Sequence, residues 1–298
     1  MPGELRIDSR PSLERPVLVA AFRGWNDGGQ GATLAAAYLA KTLDGERFAD
    51  IDPEEFYDFQ AVRPTVSLVD GITRKVDWPE NAFYHARGSS LGRDVVLLLG
   101  IEPNLRWRTF CERIASFATE LGVELVVTLG ALLADVPHTR PAPVTGAASD
   151  PDLVERLGLS RSRYEGPTGI VGVLHDACHH AGIPSASLWA AVPHYVQLTP
   201  SPRAAKALCE RLATLLGGEI DIAELDEATT AYTEQVSEAV ASDPETAAYV
   251  EELERRVDAL GDELDIPSGD AIAAELTRFL RERDEESDGG DAARGPSG

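Results

Sequence analysis

Cysteines and long apolar runs are scarce in this chain of 298 residues, and both shortages narrow the class of protein. The three cysteines, Cys111, Cys178 and Cys209, lie far apart and form no CxxC pair. An odd number of scattered thiols favours a reducing compartment over a disulfide framework. No apolar run approaches the roughly 20 residues that span a bilayer, and residues 1–16 lack the apolar stretch of a signal peptide. We therefore expect a cytoplasmic protein.

The signatures of common catalytic classes are missing as well. The chain contains no Walker GKS/T, no H-E-x-x-H and no complete G-x-G-x-x-G. His175 and His179 stand four residues apart and could share a helix face, but no third metal ligand follows at a supporting spacing. Histidines near the end of a short helix also suit the helix dipole. We therefore predict neither a metal site nor a cofactor.

Acidic residues are plentiful and unevenly distributed. The formal net charge is −23, and residues 219–298 hold 24 Asp and Glu against 6 Arg, whereas the rest of the chain is close to balanced. A net negative charge of this size repels nucleic acid and anionic membranes, so we expect neither as a partner. The acidic section could attract a basic protein surface, or it could be a solvated helical face with a solubilising tail.

An apolar run followed by a glycine-rich turn is the most informative local pattern. Residues 17–22 predict a buried strand, and the alanine-rich residues 32–43 predict a helix packed on it. Between them, Asp27 and Gln30 have the spacing of a capping box. Free N–H groups at a helix N-terminus favour an anion. The ligand candidates are therefore Gly24, Trp25, Asn26, Asp27 and Gly28, although a tight capped turn without a ligand also explains this pattern.

Strand and helix patterns alternate along the body of the chain. Further strands are predicted at residues 54–60, 65–69, 82–87, 94–100, 123–129, 169–173 and 185–191, and helices at 105–121, 175–181 and 203–216. This alternation predicts an α/β fold with a mostly parallel, mixed sheet and helices on both faces. Some antiparallel strands are expected between residues 56 and 87, where helical periodicity is lacking.

The C-terminal section has a different pattern. Leu225–Val240 shows helical spacing, Asp243-Pro244 marks a helix start, and apolar residues from Val250 to Leu264 alternate at three and four. Another amphipathic helix is predicted after Pro267. We therefore divide the chain into an N-terminal arm (1–13), an α/β domain (14–220), an acidic helical appendage (221–283) and a disordered tail (284–298).

Polar side chains follow the predicted parallel strands at their carboxyl ends, where α/β proteins bind ligands. The candidates for acid, base or cation roles are Asp27, Glu102, Asp135, His138, Arg140 and His194. Such a set could support hydrolysis or phosphorolysis if its members share one rim. In that case Glu102 and Asp135 would serve as acid/base groups, and Arg140 or His138 would hold an anion. Polar strand ends are, however, normal in any α/β fold.

A series of short motifs carries a family resemblance. They are GWND at 24–27, LGIEP at 99–103, TLGA at 128–131, DVPH at 135–138, GPTG at 166–169 and SLWAAVPHY at 187–195. In this order the motifs resemble the proteasome assembly chaperone 2 family, in its bacterial branch, over residues 14–217. The resemblance implies a phosphorylase/hydrolase-like α/β fold and a homo-oligomer, with a trimer or a larger assembly among the options. Eukaryotic and archaeal members of that family help to assemble proteasome rings.

Three interpretations remain open from the sequence, one of which is a purely structural oligomer that binds no ligand. The leading hypothesis is a cytoplasmic assembly-chaperone-like protein that binds other proteins, proteasome subunits among them, and needs no catalytic motif. The alternative is a small-molecule enzyme of phosphorylase or hydrolase type at the strand ends. Similar sequences also carry an ATP-dependent carboxylate–amine ligase label, but we find no glycine-rich lid and no clear set of magnesium carboxylates here.

Overall fold

A computed structural model describes residues 4–88, 90–148, 150–161 and 165–260. Its main feature is a nine-stranded sheet with the order β1-β3-β6-β7-β2-β8-β11-β9-β10, and β4 and β5 form a separate hairpin. The strands are β1 (Leu5–Ile7), β2 (Val17–Arg23), β3 (Glu46–Ile51), β4 (Thr65–Val69), β5 (Thr73–Asp77), β6 (Asn81–Ala86), β7 (Val95–Ile101), β8 (Leu125–Ala134), β9 (Val144–Ala148), β10 (Ser160–Arg161) and β11 (Ser185–Pro193). The predicted mixed α/β fold is confirmed.

Four adjacent strands, β7, β2, β8 and β11, run parallel at the centre of the sheet. β2 is buried along its apolar length because helices cover both of its faces, which explains its uninterrupted apolar sequence. β6 pairs antiparallel with both β7 and β3, and β9 pairs antiparallel with β11. The antiparallel strands expected before residue 87 are therefore present.

Seven helices accompany the sheet within the described residues. They are α1 (Gly31–Thr42), α2 (Trp107–Glu120), α3 (Pro151–Leu157), α4 (Ile170–His180), α5 (Pro202–Leu216), α6 (Ala223–Ala241) and α7 (Pro244–Leu260). One apolar core lies between the sheet and α1 and α5, and a second lies between the sheet and α2 and α4. α1 and α5 approach so closely that a Cβ at Gly31 would lie 2.6 Å from the Cβ of Ala204. Within the described residues, no helix combines the length and apolar character needed to cross a membrane.

Two predicted strands are wrong. Residues 54–60 form turns, because Asp52 accepts the N–H of Glu54 at 2.9 Å and starts a short 3₁₀ turn; Phe56 and Tyr57 are buried from a loop. Residues 169–173 begin α4, whose buried residues Ile170, Val171, Leu174 and Cys178 follow helical spacing. The short strands β1, β3, β5, β9 and β10 were not predicted. The helix predicted after Pro267 and the tail at 284–298 lie outside the described residues.

Candidate functional site

The carboxyl ends of β7, β2, β8 and β11 lie side by side because these strands are parallel neighbours. We call the last two residues of β8 and the residues that follow the four strands the rim, which comprises residues 24–28, 102–105, 133–140 and 194–198. All the candidate residues from the sequence are on this rim. Their contacts, however, divide them into two clusters, one around Glu102 and Asp27 and one beneath α6 and α7.

Glu102 organises the first cluster by accepting three hydrogen bonds from two segments, the GWND turn and the start of α4. Its Oε2 accepts the N–H of Trp25 at 3.1 Å, and its Oε1 accepts Asn26 Nδ2 at 3.1 Å and the N–H of Ile170 at 2.8 Å. The last bond satisfies one free donor at the N-terminus of α4. The backbone also passes close by, since a Cβ at Gly24, whose φ is +150°, would lie 2.8 Å from Glu102 Cβ. Glu102 thus fastens the GWND turn to α4.

Asp27 caps α1, although not in the predicted manner. Its Oδ1 accepts the N–H groups of Ala32 at 2.7 Å and Thr33 at 3.3 Å, and its Oδ2 accepts the Thr33 hydroxyl. Burial raises the pKa of Asp27, and these hydrogen bonds oppose the rise. The predicted capping box is wrong because a 3₁₀ turn at Gly28–Gln30 precedes α1; Gln30 adopts a left-handed conformation and makes no side-chain cap bond. Asp27 therefore takes N–H groups that an anion would use.

The second cluster joins the ends of β8 and β11 to α7. Asp135 Oδ1 lies 3.1 Å from His194 Nδ1 and accepts the Tyr249 hydroxyl at 2.9 Å. The rings of His194, Tyr195 and Tyr249 pack edge to face, with centroids 5.6–6.0 Å apart. Burial raises the pKa of Tyr249, and its bond to Asp135 adds to the rise because ionisation would set two negative charges together. Tyr249 therefore stays a donor to Asp135.

His138 is buried beneath α6. Its Nδ1 lies 2.8 Å from the Tyr195 hydroxyl, which also accepts the His138 N–H at 2.8 Å, and its Nε2 lies 3.0 Å from Ser237 Oγ. Burial lowers the pKa of His138, and the charge of Arg203 lowers it further. With both ring nitrogens engaged and the neutral form favoured, His138 connects the rim to α6.

Arg140 is held by the carboxylates of α7. Its Nε and Nη2 bind the two oxygens of Asp258 at 2.9 and 2.7 Å, and its Nη1 lies 3.5 Å from Glu254 Oε1. The hydrogen bonds from Arg140 lower the pKa of Asp258. The sequence suggested Arg140 as an anion-binding residue. In the structure, carboxylates of α7 neutralise its charge instead. Tyr195, Ser237, Tyr249 and Asp258 were not predicted; Tyr249 and Asp258 flank the apolar heptad positions of α7.

The paired histidine positions of α4 are also explained by protein contacts. His175 is partly buried, with Nε2 3.0 Å from Thr128 Oγ1 and Nδ1 2.8 Å from Ser185 Oγ. Burial lowers the pKa of His175 to about 4. His179 lies on the exposed side of the helix. In the described part of the chain, no group of three or more His, Cys, Asp and Glu side chains is placed to hold a metal ion.

Exposed apolar side chains gather at the same edge of the sheet. Nine large apolar side chains are exposed among the described residues: Trp25, Val66, Leu68, Val69, Ile72, Val76, Trp78, Leu105 and Leu133. Three of them, Trp25, Leu105 and Leu133, belong to the rim. The other six lie on or next to the β4–β5 hairpin, which is inserted between β3 and β6. β3 ends and β6 begins at the rim edge, because β6 is antiparallel to both β3 and β7.

A cleft of about 440 Å³ lies beside the base of this hairpin. Its walls are mainly charged, and its cations are paired within the chain. Arg6 binds Asp50 and Asp52, and Lys75 Nζ lies 2.6 Å from Asp77. Arg47 likewise contacts Asp8, Asp50 and Glu80. The cleft therefore offers little free charge to a ligand.

The sequence and the fold are similar to those of proteins with solved structures. The chain is similar to a PAC2 family protein from Streptomyces avermitilis (52% identity, TM-score 0.73, covering 79% of this chain and 99% of that one). It is also similar to a proteasome-assembly chaperone homologue from Mycobacterium tuberculosis (48% identity, TM-score 0.71, covering 78% and 99%).

A third solved structure, the archaeal proteasome activator PbaB from Pyrococcus furiosus, shares the fold at 22% identity, with a TM-score of 0.64 over 80% of this chain and 99% of that one. A comparison with curated protein sequences gave no match. The PAC2 family model matches residues 21–240, from β2 through most of α6. By that match and by its identity to the two bacterial structures, the chain belongs to the PAC2 family.

Proposed function

We propose that this protein acts by binding other proteins as a cytoplasmic assembly chaperone, with unassembled proteasome subunits as its partners. The observation that carries the proposal is the position of the nine exposed large apolar side chains, all on the rim or the adjoining hairpin. Apolar side chains concentrated on one side of a protein commonly mark an interaction surface. The proteasome-assembly chaperone homologue at 48% identity supports this type of partner.

Binding is favoured over small-molecule catalysis by the contacts of the candidate residues. Glu102 accepts three hydrogen bonds from the protein, and Arg140 is paired with Asp258 and Glu254. A general base or an anion-binding cation needs a free side chain facing its ligand. Glu102 instead holds the GWND turn, and Arg140 joins the rim to α7, so both side chains are already engaged within the chain.

The test is native mass spectrometry of the full chain, alone and mixed with unassembled α and β proteasome subunits of the same organism. We expect a complex with α or β subunits that disappears as the ring matures. The spectrum of the chain alone would also give its oligomeric state, since self-association through the rim is a further expectation. A retained small molecule with no subunit complex would contradict the proposal.

Two variants locate the contact. Trp25→Ser and Leu105→Ser each remove an exposed apolar side chain from the rim and should weaken the subunit complex about tenfold. Arg255→Ser is the matched control, because Arg255 is exposed on α7 and pairs only within its own helix, with Glu252 at 2.8 Å, among its described contacts. Equal weakening by all three variants would argue against a rim contact.

A further inference from the structure

The β4–β5 hairpin is amphipathic and stands apart from the main sheet. In its register Val66 faces Val76 and Leu68 faces Arg74, so Val66, Leu68 and Val76 share one face. The opposite face carries Ser67, Lys75 and Asp77, which bind one another: Ser67 Oγ donates to Asp77 at 3.0 Å. Val66 and Leu68 are 61% and 62% exposed. A two-stranded hairpin with an uncovered apolar face is marginally stable in water, and a third strand strengthens it.

The two edges of the hairpin differ in charge. β5 (TRKVD) carries Arg74, Lys75 and Asp77, and charged side chains protect an edge strand from pairing with another chain. β4 (TVSLV) has no charged residue and consists mainly of residues that favour strands. The nine-stranded sheet, by contrast, ends in the short strands β1 and β10, of three and two residues. β4 is therefore the least protected strand edge in the described structure.

The charge around β4 indicates which partner segment suits it. Residues 63–77 contain Arg63, Arg74 and Lys75 against Asp70 and Asp77, and Lys75 is paired with Asp77. Three cations against two carboxylates make this stretch slightly basic, whereas the chain as a whole has a net charge of −23. Opposite charges steer association and disfavour the wrong partner.

We propose that β4 binds an extended segment of the partner protein as a third strand of the hairpin. The segment alternates apolar residues, which contact Val66 and Leu68, with polar residues that include carboxylates. Backbone hydrogen bonds to the open edge of β4 supply the affinity, and the alternating side chains supply the selection. This inference rests on the proposed function, since it names the kind of segment that the chaperone recognises.

The test uses the full chain and a fluorescent decapeptide that alternates valine with glutamate and threonine. Two further peptides are N-methylated, one on the odd and one on the even residues. Alternate N–H groups of a strand point to opposite sides. We expect one methylated peptide to bind about tenfold more weakly than the parent and the other to bind within twofold of it. A parent peptide that does not bind, or two methylated peptides that bind alike, would overturn strand addition.

Matched variants test the face of the strand. Leu68→Thr keeps a strand-forming residue but removes the apolar contact, and it should weaken peptide binding about fivefold. Val69→Thr, the control, makes a similar change on the opposite face of the same strand and should leave binding unchanged. Equal effects of the two variants would overturn the assignment of the face. Replacing the glutamates of the peptide by lysines should weaken binding. Stronger binding of the lysine peptide would contradict the proposal that the partner segment is acidic.

Two outcomes separate this inference from the proposed function. If the subunit complex persists while the parent peptide fails to bind, strand addition fails and the proposed function stands. If the peptide binds as expected but no subunit complex forms, the proposed function fails. Light scattering would show whether Leu68→Thr dissociates a homo-oligomer. If it does, the strand that pairs with β4 comes from a second copy of this chain, and the proposed partner is wrong.

Discussion

At the scale of single residues, the candidate carboxylates of the rim hold the backbone in place. Glu102 and Asp27 between them accept four backbone N–H groups, from Trp25, Ile170, Ala32 and Thr33. Residues of these types at strand ends predicted a reactive site, because sequence shows the type of a side chain but not its donors. Because Glu102 and Asp27 hold the backbone, replacing either side chain should change the stability of the fold.

Glu102→Gln should destabilise the protein. Glutamine has one acceptor oxygen instead of two, so it cannot serve the donors on both sides of the carboxylate, and its amide group would face one of them. An unsatisfied donor costs about 1–3 kcal/mol, which urea unfolding would measure as a lower midpoint. Glu120→Gln is the control, because Glu120 is half-exposed and pairs with Arg10 at 3.3 Å. An unchanged midpoint for Glu102→Gln would contradict its structural role.

His175 should make stability depend on pH. Its pKa is lowered by burial from 6.5 to about 4, so the unfolded chain binds this proton more readily than the folded one. Stability is then fully present above pH 6.5 and falls as the pH falls towards 4, by at most about 3 kcal/mol. Urea unfolding at pH 7, 6 and 5 would measure this slope. His175→Gln should reduce the slope, whereas the exposed His179→Gln should retain it; equal slopes would contradict the assignment.

At the scale of elements, α7 is joined to the rim mainly by polar contacts. Val250 and Leu253 are its buried apolar residues, and Tyr249, Glu254 and Asp258 bind Asp135, Thr139 and Arg140. Exposed and half-exposed ion pairs contribute little free energy and are screened by salt. We therefore expect α7 to open more readily than the helices that cover the two apolar cores.

Arg140→Gln should loosen α7 without unfolding the protein. The change removes the bidentate bond to Asp258 and leaves both apolar cores intact. Hydrogen exchange followed by mass spectrometry should show faster exchange over residues 244–260, and 0.5 M NaCl should produce the same effect in the unaltered chain. Arg256→Gln is the control, because Arg256 pairs within the helix, with Glu252 at 3.1 Å. Unchanged exchange in the Arg140 variant would show that its pair with Asp258 contributes little to holding α7.

Predictions of individual elements succeeded where one signal dominated the local sequence. The central strands β2, β7 and β8 have long apolar runs, and α7 begins at a capped proline. Residues 169–173 were misread because a short apolar run fits either a strand or the first turn of a helix. β9 was missed because glycine and alanine make its sequence, VTGAA, only weakly typical of a strand.

At the scale of the whole molecule, the sheet connects two apolar cores into one unit, and α6 and α7 lie beside it. This arrangement predicts two unfolding transitions that do not coincide. All four tryptophans precede residue 190, whereas α6 and α7 contribute much of the helix content. In urea with 0.5 M NaCl, far-UV circular dichroism should begin to change at lower urea than tryptophan fluorescence. Superimposable transitions would show that α6 and α7 unfold together with the body.

The sequence by itself determined the α/β class, the central parallel strands, the acidic C-terminal helices and the resemblance to the family. These properties reside in local periodicity, composition and short motifs, so they can be read without coordinates. Only the tertiary structure decided what the polar residues do. Arg140 and Asp258 are 118 residues apart in the chain, and Glu102 and Ile170 are 68 apart. Hydrogen bonds act over about 3 Å, so the choice of partner depends on how the chain folds back on itself.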